Sequence, residues 1–305
     1  MKSRIPFIIT VDTEADNHWK GGESVTLENL KALPKFQEVC ERYGFVPTYF
    51  ITYEVIEDKD AVAYLGKLWR EGKAEVGAHL HPWTTPPYND EQSEKRDMPF
   101  PCELDDQLLR EKFISLHHAI SKAFGKAAVV FRAGRWGYDH RIGALLKEFG
   151  YIADTSITPL VDWGKIAKGR EVRKFPNFVH ASLFPWCINE QVVELPMTVL
   201  PRGPRFVSRL ADKVGRGTLL SMWCRIFKGT TVDELLFVYE RAEKLNLPYC
   251  MFMIHSSEFI LGSPYTKDER SLDAHLGTFE QFLYALHERG VQGMTVSQVS
   301  GKVIQ

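Results

Sequence analysis

Along the chain, short apolar runs break off at polar residues, and stretches with one apolar side separate them. Phe7-Ile8-Ile9-Thr10-Val11 has the pattern of a buried strand and ends at Asp12-Thr13-Glu14-Ala15-Asp16. Leu30, Leu33, Phe36, Val39 and Cys40 then recur on one side of a helix predicted over 27–43, with Pro34 a candidate for its true start and Gly44 its end. Further strands are predicted over 46–52, over 74–80 with a histidine pair at its end, over 129–131 running into Arg132, and over 151–153 ending at Asp154. Strands over 192–195 and 249–254 follow, and a last short one near 293–296. Helices are predicted over 59–71, 105–124, 140–149, 232–245 and 272–288.

Strands that alternate with helices and carry polar residues just past their ends predict an α/β fold, a single distorted (β/α) barrel with its chemistry at the carboxyl ends of the strands. An open doubly wound sheet would give much the same periodicity. No glycine-rich fingerprint follows the first strand, which argues against nicotinamide binding. The whole of 1–305 is expected to be one catalytic domain with two excursions, near 84–102 and 200–230. The first is rich in Pro, Asp, Glu, Asn and Ser and fits either a lid or a disordered insertion.

Composition narrows the classes. The 305 residues are 44% hydrophobic, enough to bury a large core, and a formal charge of -1 gives no whole-protein attraction for nucleic acid. No run of eighteen apolar residues predicts a transmembrane helix. Cys40, Cys102, Cys187, Cys224 and Cys250 are odd in number and far apart, and the amino terminus passes directly into the first strand without a leader pattern. Reduced thiols in a cytoplasmic compartment are therefore expected. Charge is uneven in one place. Arg202, Arg205, Arg209, Lys213, Arg216, Arg225 and Lys228 oppose Asp212 alone. That patch could attract the phosphate of a glycan precursor or, with Leu219 to Trp223, make weak peripheral membrane contact; an ordinary solvated surface would look the same.

The candidate chemistry lies at the strand ends. Asp12, Glu14 and Asp16 share parity, so an extended continuation of the first strand would crowd three carboxylates unless a metal, a proton or a base offset them. His79 and His81 can face one site from an extended segment. Imidazole with carboxylate suits zinc or another first-row divalent ion. His255, after Met251-Phe252-Met253-Ile254, is either a hydrogen-bonded core histidine or a general acid near neutral pH. Trp83, Tyr88, Trp136 and Trp163 could stack on sugar rings, although scattered aromatics are more often packing.

These segments resemble the polysaccharide deacetylase, or NodB-homology, family of carbohydrate esterases, and are most similar to an intracellular branch of it. The resemblance is discontinuous from Phe7 to about Val296, strongest over 9–14, 75–83, 131–137, 150–159, 193–198 and 252–259. It implies a distorted seven-stranded barrel, a divalent cofactor such as zinc, and hydrolytic deacetylation of an N-acetylated sugar in a polysaccharide or glycan precursor. By the same resemblance Asp12 is the general base, Glu14 and His79 hold the metal, Arg132 orients the base, Asp154 orients Arg132 or His255, and His255 is the general acid. The family's second metal histidine falls at Trp83, so His81 is expected to supply the missing ligand. Gly134 stands where the family has proline, and Ser256 stands beside His255 where the family also has proline. Trp83, Arg135, Trp136 and Glu258 are expected to contact substrate. Another metal-dependent amidohydrolase, or an inactive carbohydrate-binding relative, would carry many of the same signals.

Overall fold

The computed structural model describes residues 4–17, 25–166, 175–202 and 221–303. Among the described residues ten strands form in chain order: β1 (Phe7–Thr13), β2 (Thr48–Ile51), β3 (Glu75–Leu80), β4 (Val130–Ala133), β5 (Ala153–Asp154), β6 (Trp186–Cys187), β7 (Val193–Glu194), β8 (Val199–Pro201), β9 (Ser221–Trp223) and β10 (Cys250–His255). The main sheet has eight strands in the order β10-β1-β2-β3-β4-β5-β7-β6. All its pairings are parallel except that of the edge strand β6 with β7.

The expected barrel of seven strands is thus an eight-stranded curled sheet whose end strands do not pair with each other. The gap is bridged by the segment after β7 and by the β8–β9 hairpin. Cys224 N donates to Thr198 O at 3.0 Å, Met253 N to Cys224 O at 3.3 Å, and Met251 N to the Thr198 hydroxyl at 2.8 Å.

Strand parity divides the core in two. Phe7, Ile9 and Val11 of β1 pack outward with the helices, together with Val76, Leu80, Phe252 and Ile254. Ile8 faces inward among Phe50, Val130, Met251 and Met253. The inner space is tight at Gly77, where a Cβ would come within 2.6 Å of the Phe50 ring. Only glycine leaves room there for the ring.

The helices carry the caps that their sequences supply. Asp58 accepts from Ala61 N ahead of helix Lys59–Arg70, and Asp105 accepts from Leu108 N ahead of helix Asp106–Phe124. Thr231 and Glu234 form a reciprocal box at the start of helix Val232–Lys244. The first predicted helix divides at the proline: a 3-10 turn covers Glu28–Ala32 and the α-helix runs over Leu33–Arg42. The strand expected near 293–296 is a single bridge from Gly293 to Phe7, followed by helix Val296–Val303.

The 84–102 excursion contains helix Glu91–Asp97 and is tied down by a buried base. Lys112 donates to Pro82 O at 2.9 Å and Thr85 O at 2.7 Å, and pairs with Glu94 at 2.8 Å. Tyr88 lies against this ammonium, 4.4 Å from ring centre to Nζ. Of the basic stretch, Arg205, Arg209, Lys213 and Arg216, with Leu219 and Leu220, lie outside the described residues. Among the described residues no helix is long and apolar enough to cross a membrane.

Candidate active site

Parallel pairing sets the carboxyl ends of β1, β3, β4 and β10 side by side, with Asp12 opposite His255 and His79 opposite Arg132. Glu14 lies just past β1, and His81 just past β3. Ligand atoms of Glu14, His79 and His81 all fall within 4.8 Å of one another. Glu14 Oε2 is 3.2 Å from His81 Nε2 and 3.6 Å from His79 Nε2. The Arg132 carbonyl is only an acceptor, so His79 Nδ1, 2.9 Å away, is the protonated nitrogen and Nε2 is left to face Glu14. One carboxylate and two imidazoles, converging and buried, suit a divalent cation.

His81 reaches this cluster through its neighbours. Trp83 stacks on its ring, centroids 4.2 Å apart, and so packs behind it. On another side the backbone of Gly134 approaches so closely that a Cβ would meet His81 Cδ2 at 2.3 Å and Leu80 O at 2.4 Å. A glycine at 134 and a histidine at 81 therefore belong together.

Asp12 is buried and accepts a hydrogen bond from Arg132 Nη1 through Oδ1, while Oδ2 lies 3.9 Å from His79 Nε2. Burial works against its charge, but the Arg132 guanidinium, with His79 and His255, outweighs it and holds the carboxyl below the usual aspartate range. Arg132 is itself fully enclosed. Its Nε donates to the Thr155 hydroxyl at 3.0 Å and its Nη2 to the Thr10 hydroxyl at 3.0 Å, and its Cζ lies 4.5 Å from the Phe50 ring centre. Asp16 does not join Asp12 and Glu14. The chain turns after Glu14, and Asp16 accepts instead from the Thr26 hydroxyl and from Asn29 N at 3.2 Å.

His255 Nε2 points to the same place, 3.7 Å from Glu14 Oε1. Its Nδ1 lies 2.9 Å from Glu258 Oε1 and 3.0 Å from Arg225 Nη2, contacts that orient the ring with Nε2 facing the site. Glu258 was expected at the substrate; it is fully buried behind His255 instead. The 3-10 turn Ser256–Phe259 folds it back under the preceding strand. Arg225 Nη2 donates to Glu258 Oε1 at 2.8 Å, and His275 Nε2 lies 2.8 Å from Oε2. Burial opposes the Glu258 charge, yet Arg225, His255 and His275 together drive its pKa far below the usual range. Arg225 and His275 have no spacing relation to His255 in the sequence, where Arg225 stands out only as one of the bases of the 202–228 stretch.

Asp154 contacts neither Arg132 nor His255 directly. Its Oδ1 accepts from the Ser156 hydroxyl at 2.6 Å, and Ser156 Oγ accepts from Ala133 N at 2.8 Å, so its carboxylate is linked to β4 through Ser156. Beside it stands Glu194, its register partner on β7. Burial, with the charge of Asp154, pushes the Glu194 carboxyl well above the usual range, and burial raises Asp154 as well.

A cavity of about 580 Å³ opens onto Asp12, Glu14, His79, His81 and His255. Trp83, Arg135 and Trp136 line it, and so do Trp163, Trp223 and Tyr265. The three tryptophans Trp136, Trp163 and Trp223 lie with ring centres 6.2 to 6.5 Å apart. Arg135 and Trp136 both adopt the left-handed region, at φ 53° and 62°. Side chains other than glycine enter it only when their surroundings compel it. Here Arg135 donates to Met98 O and lies over the Phe100 ring, so the 84–102 excursion forms one wall of the cavity.

No family model and no curated protein matches the chain. Among solved structures it is similar to a provisionally assigned polysaccharide deacetylase from Mycobacterium smegmatis, with 13% identity, TM-score 0.55, and coverage of 99% of this chain and 92% of that one. It is also similar to a 4-α-glucanotransferase from Thermococcus litoralis, with 13% identity, TM-score 0.56, and coverage of 98% of this chain and 40% of that one. At these identities the likeness is one of fold.

Proposed function

We propose that the chain is a metal-dependent hydrolase that removes the acetyl group from an N-acetylated sugar in a polysaccharide or glycan precursor. The observation that carries this is the convergence of Glu14, His79 and His81 within 4.8 Å, at the floor of a cavity walled by tryptophan. A bound divalent ion, zinc being well matched to this donor set, would polarise the acyl carbonyl and lower the pKa of water. Asp12, kept ionised by Arg132, takes the proton of the attacking water. His255, its ring oriented at Nδ1 by Glu258, acts as general acid in its doubly protonated form and passes the Nε2 proton to the departing amine, leaving the neutral imidazole. Trp136, Trp163 and Trp223 offer flat faces to the sugar ring, and Trp83 and Arg135 border it.

The fold is shared with a glucanotransferase, so the site has to choose the chemistry. Glycosyl transfer with retention needs a carboxyl kept protonated to act as the acid. Asp12 is held ionised, and Glu14, the other carboxylate at the cavity, converges with two imidazoles in the setting of a metal ligand rather than of that acid. A panel of N-acetylated glycans and precursors tests the proposal directly: acetate and free amine should appear together, vanish after chelation and return with zinc. Saccharide transfer without acetate release, or turnover indifferent to chelation, would overturn it.

A further inference from the structure

Glu14 lies one residue beyond the last paired position of β1, where the strand ladder no longer holds the backbone. Two buried side chains take over. Glu14 N donates to Ser256 Oγ at 3.1 Å, Asn29 Nδ2 donates to Glu14 O at 2.8 Å and to Ser256 Oγ at 2.7 Å, and Ser256 Oγ lies 3.3 Å from Glu14 O. Asn29 and Ser256 are both fully enclosed. We infer that Asn29 and Ser256 form a clamp that positions the Glu14 carboxylate for metal binding; this rests on the metal-centre reading of the site.

The clamp is built at a cost. Asn29 Oδ1 is buried without a hydrogen-bond partner among the described residues, a penalty that an apolar side chain of the same size would avoid. Burying an amide whose oxygen goes unmatched makes sense where its two N–H groups fix something else. What they fix is the backbone of the one carboxylate in the proposed ligand set. Ser256 also follows His255 directly, so the same hydroxyl ties the metal carboxylate to the strand that carries the proton donor. Both are positioning residues: neither lines the cavity.

Chelator-competition titration with zinc, alongside Tm of the metal-free protein, tests the clamp. Asn29→Ala and Ser256→Ala should each weaken zinc binding about 10- to 100-fold, as loss of a residue supporting a metal ligand does, with Ser256→Thr close to the wild type. The double variant should lose little more than either single one, because both break a single hydrogen-bonded cycle. Folded alanine variants with wild-type zinc affinity would overturn the clamp. An equal loss in Ser256→Thr and Ser256→Ala would also overturn it, by making packing the cause. If Asn29→Ala does not fold, Ser256→Ala, which removes one oxygen, decides. A wild-type protein that takes up no zinc would instead sink the metal reading itself, and the clamp's role with it.

Discussion

Two groups of buried carboxyls sit at strand ends of one sheet and solve the same problem in opposite ways. At β1, Asp12 and Glu14 are surrounded by bases: Arg132, His79, His81 and His255 all approach within ion-pair distance. At β5 and β7, Asp154 and Glu194 face each other across one register position, and both have raised pKa values. Asp12 in the first group keeps its charge by electrostatic compensation, and the second pair is pushed toward holding a proton. Position at the carboxyl end of a parallel sheet therefore does not make a carboxylate chemically active. The counter-charge beside it does.

Arg132→Met would turn the first group into the second and should have the largest effect. With the guanidinium gone, burial dominates at Asp12, and the aspartate either takes up a proton or stays charged and unpaired. Breaking such a buried pair costs about 3–5 kcal/mol of stability. Loss of the ionised base should lower turnover by roughly 100-fold or more. Urea denaturation and acetate-release assays read the two effects. A variant with stability within about 1 kcal/mol of wild type would show that Arg132 does not hold the charge in place.

Gly134→Ala tests the same cluster more locally. A Cβ placed 2.3 Å from His81 Cδ2 must push the imidazole aside, and Trp83 stacked at 4.2 Å limits where it can go. Overpacking of this kind costs about 1–3 kcal/mol. Zinc affinity, measured by calorimetric titration, should drop about tenfold or more if His81 coordinates the ion. Unchanged affinity in a folded variant would remove His81 from the ligand set.

Much of this was legible in the sequence, and the boundary is physical. An apolar run that stops at Asp12, His79, Arg132 or His255 marks a strand entering a site, because burial and chemistry alternate along one short segment. The α/β alternation was equally clear, since each of those strands is followed by a one-sided helix. Strands β6, β8 and β9 have only two or three residues and leave no periodicity to detect. Asp16 was grouped with Asp12 and Glu14 by parity, which fails once the chain turns out of the strand. Glu258 looked like a substrate residue because exposure is invisible in sequence; its partners Arg225 and His275 come from 33 positions before it and from a separate helix. The pairing of Gly134 with His81 likewise depends on backbone approach between distant segments.

The smallest effect concerns the second group, where Glu194→Gln should alter the pH dependence of stability and leave the β1 cluster alone. The folded-state pKa of Glu194 lies above its value in the unfolded chain, near 4.3. Below that pH both states hold the proton and the residue's contribution is complete. As pH rises, the unfolded chain releases the proton while the folded protein retains it, so stability falls until the folded pKa is passed. Glutamine has no proton to release, and its contribution stays level. The difference in unfolding free energy, glutamine variant minus wild type, should therefore grow between pH 5 and pH 8, by on the order of 1 kcal/mol for each pH unit that the folded pKa is raised. Urea titrations at the two pH values measure it. Curves that shift in parallel for both proteins would mean that Glu194 is ionised in the fold, and that the two carboxyl groups do not differ in how their charge is removed.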